Sequence, residues 1–179
     1  VCGRIGRAYL SRAVTDGVTD SLFDSFSLRG TEFRNRVMLS PMCQYSAEDG
    51  LANEWHRVHL GTRAVGGAGL VMMEATAIEP DGRITPHCHG IWSDDHAERL
   101  EPITDFVRSQ GAMPGIQLAH AGRKASTSRP WDGHGPIQAD EGGWETIAPS
   151  ATPYPHEDGT VPTRKMDNSD IDRGIEQFG

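Results

Sequence analysis

Three short runs of apolar residues are the clearest pattern along the chain. They are "RVMLSPM" at 36–42, "GLVMMEA" at 69–75 and "MPGIQLAH" at 113–120. Runs that are apolar at nearly every position are typical of strands buried on both faces, as in a parallel sheet. Pro41 can end the first strand, because proline has no N–H to donate to a ladder. The sequence therefore predicts three buried strands.

Two amphipathic segments separate these strands. The first begins at Asn53, which can cap a helix, and ends at the Gly66-Gly67 pair. The second begins at Ser93 and ends at Gly111. Its apolar face consists of Leu100, Ile103, Phe106 and Val107. The order strand, helix, strand, helix, strand predicts a parallel α/β architecture.

The flanking segments extend this picture. Residues 21–36 predict a two-stranded ribbon that turns at Arg29-Gly30. A long Gly/Pro-rich excursion follows the third strand over 122–165, and a further helix then begins, capped by Asp167 or Ser169.

The long connections of the chain all follow the carboxyl ends of predicted strands, at 41–53, 75–92 and 120–165. In a (β/α)8 barrel these are the loops of the catalytic face. A doubly wound sheet is the alternative, but its phosphate loop should follow a strand, whereas "GGAGL" at 66–70 precedes one. The arrangement favours the barrel.

Charge and composition narrow the class of partner. Lys and Arg number 17 against 25 Asp and Glu, so the net charge of -8 argues against nucleic acid and anionic membranes and favours small molecules. No apolar run approaches the roughly 20 residues that span a bilayer, and the N-terminus has no secretory signal pattern. Three widely spaced cysteines, Cys2, Cys43 and Cys88, predict a reducing, cytoplasmic setting. A first residue of Val indicates an incomplete chain.

Four stretches, in this order, resemble the old yellow enzyme family of flavin-dependent ene-reductases, most closely the subgroup that includes bacterial xenobiotic reductases. They are "SPMCQYSAEDGLANEWHRVHL", "GAGLVMMEATAIEPDGRITPHCHGIW", "PGIQLAHAGRKAS" and "GWETIAPSA". The resemblance implies an FMN-binding (β/α)8 TIM barrel. Residues 21–179 would be its N-terminal half, with an N-terminal hairpin and about the first three β/α units. Residues 1–20 stay an unassigned N-terminal extension.

The resemblance places the backbone of one run beside the isoalloxazine ring of FMN. That run consists of Ser40, Pro41, Met42 and Cys43. Cys43 would donate a weak S–H hydrogen bond to the flavin and tune its reduction potential, without acting as a nucleophile. The alternative is that Cys43 is a small buried apolar residue.

Three further residues take roles by the same resemblance. Tyr45 would face the substrate, and the small Ala75 would let the backbone approach the flavin. Gln117 would bind the pyrimidine edge, since an amide has both donors and an acceptor. A bond from Gln117 to a neighbouring strand, and simple packing of Tyr45, stay open. Glu74 ends an apolar strand, and we expect it to satisfy nearby backbone groups.

Histidines raise the possibility of a metal site. His87, Cys88 and His89 are adjacent, and His56 and His59 stand one helical turn apart. No acidic or cysteine partner recurs at zinc-site spacing, so we predict no metal. We expect His56 and His59 to cover the inner face of a helix.

Old yellow enzymes carry, on a later strand, a His-x-x-His or His-x-x-Asn pair that holds the substrate carbonyl oxygen. No such strand lies within these 179 residues, and a complete barrel takes about 250. We therefore expect this chain alone to be inactive. The complete barrel would transfer hydride from NAD(P)H through FMN to the β carbon of an α,β-unsaturated carbonyl or similar activated alkene.

Two other functions stay open. One is a metal-dependent barrel hydrolase, and the other is an inactive or truncated barrel that serves as a binding module. Long loops can also form contacts between copies, which leaves a homo-oligomer possible.

Overall fold

A computed structural model describes residues 21–179, so the extension at 1–20 lies outside the described residues. The strands of that range are β1 (Phe26–Leu28), β2 (Thr31–Phe33), β3 (Met38–Leu39), β4 (Leu70–Ala77), β5 (Met113–Ala119), β6 (Thr146–Ala148) and β7 (Thr163–Lys165). The helices are α1 (Glu54–Val65), α2 (Asp94–Ser109) and α3 (Asn168–Phe178).

The central sheet has the order β3-β4-β5, and all its strands are parallel, as the apolar runs predict. One face of the sheet packs against α1 and α2. The shared core contains Leu60, Ala64, Val71, Met73, Leu100, Ile103 and Val107. Phe106, the fourth residue of the predicted apolar face, is only half-buried. Its ring instead packs against Gly61 of α1, where an added Cβ would come within 2.9 Å of the ring.

The helix ends follow the sequence signals with one exception. Asn53 accepts a hydrogen bond from the Trp55 N–H, and Asp167 accepts one from the Asp170 N–H, so both act as N-caps. Ser93 stands at the N-cap of α2 but bonds none of its N–H groups. Its hydroxyl instead lies 2.7 Å from Nδ1 of His96, which competes for the capping oxygen.

The predicted ribbon is the antiparallel pair β1–β2, and it turns at Arg29-Gly30. Both turn residues have positive φ, 48° and 83°, the conformation of a tight hairpin turn. Phe26 and Phe33 stack across the ribbon with ring centroids 5.0 Å apart.

Arg34, just after the ribbon, joins the amino-terminal end of the sheet to both helices. Its guanidinium donates to the carbonyl oxygens of Ala64 at 2.8 Å, Ala68 at 2.8 Å and Gln110 at 2.6 Å. These carbonyls lie at or just beyond the carboxyl ends of α1 and α2, and the Ala64 carbonyl also accepts from the Gly67 N–H at 3.1 Å. One side chain thus satisfies the ends of two helices.

The excursion at 122–165 contains structure that the sequence did not predict. The short strands β6 and β7 pair in parallel, and the hydroxyls of Thr146 and Thr163 lie 2.9 Å apart across them. Strands of three residues are too short to show a hydrophobic period, so the pattern gave no signal.

Among the helices of residues 21–179, none combines the length and the apolar composition that a membrane crossing requires.

We expect Arg34→Lys to lower the free energy of unfolding of the intact protein by about 2–3 kcal/mol, because an ammonium cannot reach three carbonyls held by a planar guanidinium. Urea denaturation measures the change. Arg108→Lys is the matched control, because Arg108 is exposed on α2 and, among residues 21–179, pairs only with neighbours of its own helix. Equal stability of the two variants would contradict this role.

Candidate functional site

The carboxyl ends of β3, β4 and β5 meet at one edge of the sheet and bring the sequence-predicted residues together. Ser40 and Pro41 leave the end of β3, and the loop continues through Met42, Cys43 and Tyr45. Ala75 lies near the end of β4, and Gln117 lies on β5. Ala75 and Gln117 are register partners across the two strands.

A bulge in β4 sets the direction of these side chains. Met73 pairs with Ile116 and Ala75 pairs with Gln117, so Glu74 is the extra residue. Met73 and Ile116 belong to the helix-facing core, and the next pair therefore faces the opposite side of the sheet. Bulges commonly re-aim side chains beside functional sites. Here the bulge sets Ala75 and Gln117 side by side on the face away from the helices.

The amide of Gln117 is exposed and, within residues 21–179, has no hydrogen-bond partner. The alternative in which it bonds a neighbouring strand therefore finds no support among the described residues. An amide presents two donor hydrogens and an acceptor oxygen. Those groups fit the mixed donors and acceptors of a flavin pyrimidine edge.

The backbone leaving β3 also presents unused polar groups. Over the part of the chain that the structure describes, the N–H groups of Met42 and Cys43 donate to no protein acceptor. Pro41 has no N–H, and the exposed Ser40 begins the turn away from the sheet. The segment thus lines the site with main-chain donors rather than closing on itself.

The thiol of Cys43 is half-buried, and its pKa responds to two neighbours in the site, Cys88 and the backbone of Ala75. Neighbouring Cys88 and then burial raise the pKa of Cys43 above its ordinary value. Cys43 therefore keeps its proton near neutral pH, as a hydrogen-bond donor must and as a thiolate nucleophile would not.

Tyr45 stands next to Cys43 on a constrained backbone. Its φ is 51°, a left-handed conformation that is uncommon for a residue with a Cβ. Burial, and then the neighbouring Cys43, raise the pKa of the phenol. The ring meets Trp131 edge to face, with centroids 5.7 Å apart. Tyr45 and the exposed Trp131 together form an aromatic wall beside the thiol.

The carboxylate of Glu74, on β4, holds the loop that follows β3. This carboxylate is buried, and Oε2 accepts a hydrogen bond from the Gln44 N–H at 2.8 Å. Oε1 lies 3.2 Å from Nε2 of His56, although the two atoms are not aligned as a regular hydrogen bond. The expectation that Glu74 satisfies backbone groups is correct, and the backbone concerned carries Cys43 and Tyr45.

The histidines take structural positions. The Asn53 N–H donates to Nδ1 of His56 at 3.0 Å, which assigns the proton to Nε2, facing Glu74. His56 and His59 are buried on α1, as predicted. His89 is fully buried, and burial together with His56 lowers its pKa to about 3, so it is neutral at physiological pH. No group of three or more His, Cys, Asp or Glu within residues 21–179 is arranged to hold a metal ion.

Two features of the site had no clear sequence signal. Cys88 comes from the loop after β4 and Trp131 from the excursion, and both reach the loop after β3 only through the fold.

A further set of contacts joins the segments that follow β4 and β5 to α3. Glu79 accepts from Nε2 of His120 at 2.8 Å and from Nε of Arg173 at 3.0 Å, which ties β5 and α3 to the loop after β4.

Comparison with known proteins finds one family across the described chain. The model of the NADH:flavin oxidoreductase / NADH oxidase family matches residues 21–179. An NADH:flavin oxidoreductase of Gibberella zeae is 49% identical over 140 residues, which cover 76% of this chain and 34% of that protein. An NADPH dehydrogenase of a Geobacillus species is 42% identical over 159 residues, 88% of this chain and 42% of that protein.

The solved structure of the old yellow enzyme homologue from Zymomonas mobilis superposes with a TM-score of 0.72 at 29% identity. The match covers 89% of this chain and 43% of that one. The fold is a partial (β/α)8 barrel, as predicted. The chain spans less than half the length of these relatives.

We expect Glu74→Gln to destabilise the intact protein by about 2–4 kcal/mol. The two carboxylate oxygens of Glu74 face the Gln44 N–H and the His56 N–H, so an amide in either orientation would place its NH2 donor against one of these donors. Chemical denaturation measures the loss. Glu98→Gln on the exposed surface of α2 is the control, and the same small change in both variants would refute the anchoring role.

Proposed function

Since the chain belongs to the NADH:flavin oxidoreductase / NADH oxidase family, we propose that the intact protein is an FMN-dependent ene-reductase. It would take hydride from NAD(P)H and deliver it to the β carbon of an α,β-unsaturated carbonyl or a similarly activated alkene. The complete barrel is required, and this chain contributes one wall of the site.

One observation carries the proposal: unsatisfied polar groups converge where β3, β4 and β5 end. The N–H groups of Met42 and Cys43 and the amide of Gln117 find no partners among residues 21–179. Protein polar groups are rarely left without partners unless water or a ligand satisfies them. A flat ring with oxygen and nitrogen atoms along its edges fits these N–H donors and the amide, with the small Ala75 beside Gln117.

Each residue has a part in holding the cofactor. The backbone of Ser40, Pro41, Met42 and Cys43 would border the ring, and Ala75, whose side chain is one methyl group, would permit close approach. Gln117 would bind the pyrimidine edge through its amide. When bound, FMN supplies reversible hydride transfer, which no protein side chain provides.

The residues around the ring set its environment. The Cys43 thiol stays protonated beside Cys88, so it can donate to a flavin acceptor and influence its reduction potential. The half-buried phenol of Tyr45 is protonated near neutral pH, since its pKa lies above the already high ordinary value, and it can donate to a substrate oxygen. Its edge-to-face contact with Trp131 restricts the orientation of the ring.

Groups that hold the substrate carbonyl must come from elsewhere in the intact protein. The His-x-x-His spacing does occur here, at His56 and His59, but both side chains lie on the buried face of α1. They are not available to a substrate at the sheet edge. We propose that a later strand of the intact protein provides the donors that stabilise the enolate, as an oxyanion hole does.

The hypothesis of a metal-dependent hydrolase has no observation among residues 21–179 in its favour, and we do not propose it.

The hypothesis of a binding module predicts a chain that folds cooperatively by itself. Three large apolar residues on or next to the open sheet are exposed, Met38, Met42 and Leu118. Further barrel units would cover such surfaces, which argues against a chain that folds by itself.

The intact protein should purify yellow, with FMN near one per chain, and should oxidise NAD(P)H when cyclohexenone is supplied. Absorbance spectra and consumption of NAD(P)H measure both properties. A colourless preparation that does not take up added FMN would contradict the proposal.

Gln117→Leu should weaken FMN binding by about tenfold or more, since it removes polar contacts worth roughly 1–3 kcal/mol while keeping a similar volume. Titration of the apoprotein with FMN, followed by flavin fluorescence, measures the affinity. Gln177→Leu is the control, because that exposed glutamine on α3 is remote in sequence from the site and makes no side-chain hydrogen bond within the described residues. Unchanged affinity in Gln117→Leu would exclude its role.

A further inference from the structure

An exposed tryptophan lies beside the candidate site on a turn that closes on itself. Trp131, in the excursion, is 62% exposed. The turn that carries it is closed by the Ser128 N–H, which donates to the Gly135 carbonyl oxygen at 2.9 Å. The Gly135 N–H donates in return to the Ser128 hydroxyl at 3.0 Å. Single exposed apolar residues are ordinary, and what distinguishes Trp131 is its neighbours.

Two side chains hold the indole of Trp131 in place. The guanidinium carbon of Arg129 lies 5.5 Å from the ring centroid, and Nε of Arg129 donates to Oδ2 of Asp132 at 2.6 Å. Tyr45 meets the indole edge to face, with ring centroids 5.7 Å apart. The indole is oriented by these contacts and still leaves most of its surface open.

The base of the excursion is fastened to the loop after β4. The Thr127 N–H donates to the Ile84 carbonyl oxygen at 2.9 Å, and Nε1 of Trp144 donates to the Asp81 carbonyl oxygen at 3.0 Å. These two contacts come from the two sides of the turn at 128–135. The turn is thus held next to the loop after β4, and its contact with the loop after β3 is set by the fold.

Tyr45 connects the indole to the edge of the sheet. It follows Cys43 by two residues, and the Gln44 N–H between them is held by the buried Glu74. The half-buried phenol stands at the candidate site, and the more exposed Trp131 extends the aromatic surface beyond it. Two rings from separate loops therefore form one continuous surface.

We propose that Trp131 determines specificity by stacking against an aromatic substituent of the alkene substrate. This inference rests on the proposed function, which places the alkene on the Tyr45 side of the site. A small cyclic enone ends near Tyr45, whereas an enone with an aryl group on its β carbon extends over Trp131. Aromatic rings in contact attract each other beyond the effect of buried area, so the indole favours the aryl-substituted alkene.

Equilibrium binding to the intact, FMN-loaded protein tests the inference without turnover. Benzylideneacetone and cyclohexenone are titrated in the absence of NAD(P)H and followed by calorimetry. In Trp131→Ala we expect benzylideneacetone to bind about three- to tenfold more weakly, which is the range of one aromatic pair. Cyclohexenone should bind within about twofold of the wild type. Trp131→Phe keeps a flat ring and should restore most of the lost affinity.

Phe23→Ala is the matched control. Phe23 is 58% exposed, and it precedes β1 at the amino-terminal end of the sheet, where the Arg36 N–H donates to the Leu22 carbonyl oxygen at 2.9 Å. This variant should bind both alkenes as the wild type does. Urea denaturation should give Trp131→Ala and Phe23→Ala similar stability, because both remove an exposed ring.

Steady-state kinetics gives a second readout. The ratio of kcat/KM for benzylideneacetone to that for cyclohexenone should fall in Trp131→Ala by the same factor as the binding ratio. The change should be in KM, since a contact with a remote substituent is present before and during hydride transfer.

Three results would overturn the inference and leave the proposed function standing. Equal weakening of both alkenes together with a loss of stability would show that a later segment of the intact protein covers Trp131. Tighter binding of benzylideneacetone to Trp131→Ala would show that the indole obstructs the aryl group. Unchanged binding would show that it makes no contact. A wild-type protein that takes up no FMN and reduces neither alkene contradicts the proposed function itself, and the inference falls with it.

Discussion

The buried carboxylate of Glu74 is the constraint on which the rest of the site depends. A carboxylate with 2% exposure must find its partners inside the protein, and it finds them on separate elements. It accepts from the Gln44 N–H of the loop after β3 and faces His56 of α1, while its own backbone belongs to β4. The loop therefore has one favourable position against the sheet. Cys43 and Tyr45, on either side of Gln44, take their positions from that contact.

The same residue sets the geometry of the sheet edge. Because Glu74 is the extra residue of a bulge, the alternation of side chains shifts by one position between Met73 and Ala75. Without the bulge, Ala75 would face the same side as Met73, and that side packs against the helices. One residue thus performs two tasks. It holds the loop after β3 against the sheet, and it directs the side chain of Ala75, near the carboxyl end of β4, toward the candidate site.

The sequence predicts the scaffold well, because long apolar runs and helix caps are local signals. The three parallel strands, both interstrand helices and the caps at Asn53 and Asp167 lie where the pattern indicates. The turn at Arg29-Gly30 is equally local. These elements needed only the chemistry of their own and adjacent residues.

Contacts between loops are a different matter, since no periodicity connects residues on separate loops. The sequence presents Cys88 only as the neighbour of His87 and His89, and its influence on the pKa of Cys43 arises where the carboxyl ends of β3 and β4 meet. The pairing of β6 with β7 inside the excursion is long-range in the same sense. The family resemblance names candidate site residues, but the Glu74 anchor and the Tyr45–Trp131 contact required the fold.

The two ends of the sheet differ in how their polar groups are satisfied, and this difference argues for where a ligand binds. At the amino-terminal end, Arg34 satisfies the carbonyls beyond two helices, and Asn35 donates to the Gly67 carbonyl at 2.8 Å. At the carboxyl end, the donors of Met42 and Cys43 and the amide of Gln117 have no partners within residues 21–179. Met42 and Gln117 are exposed, so water can satisfy these groups, and a bound ligand can replace that water. Exchangeable polar groups at one edge, on a loop held in place by a buried carboxylate, are what the proposed FMN site requires.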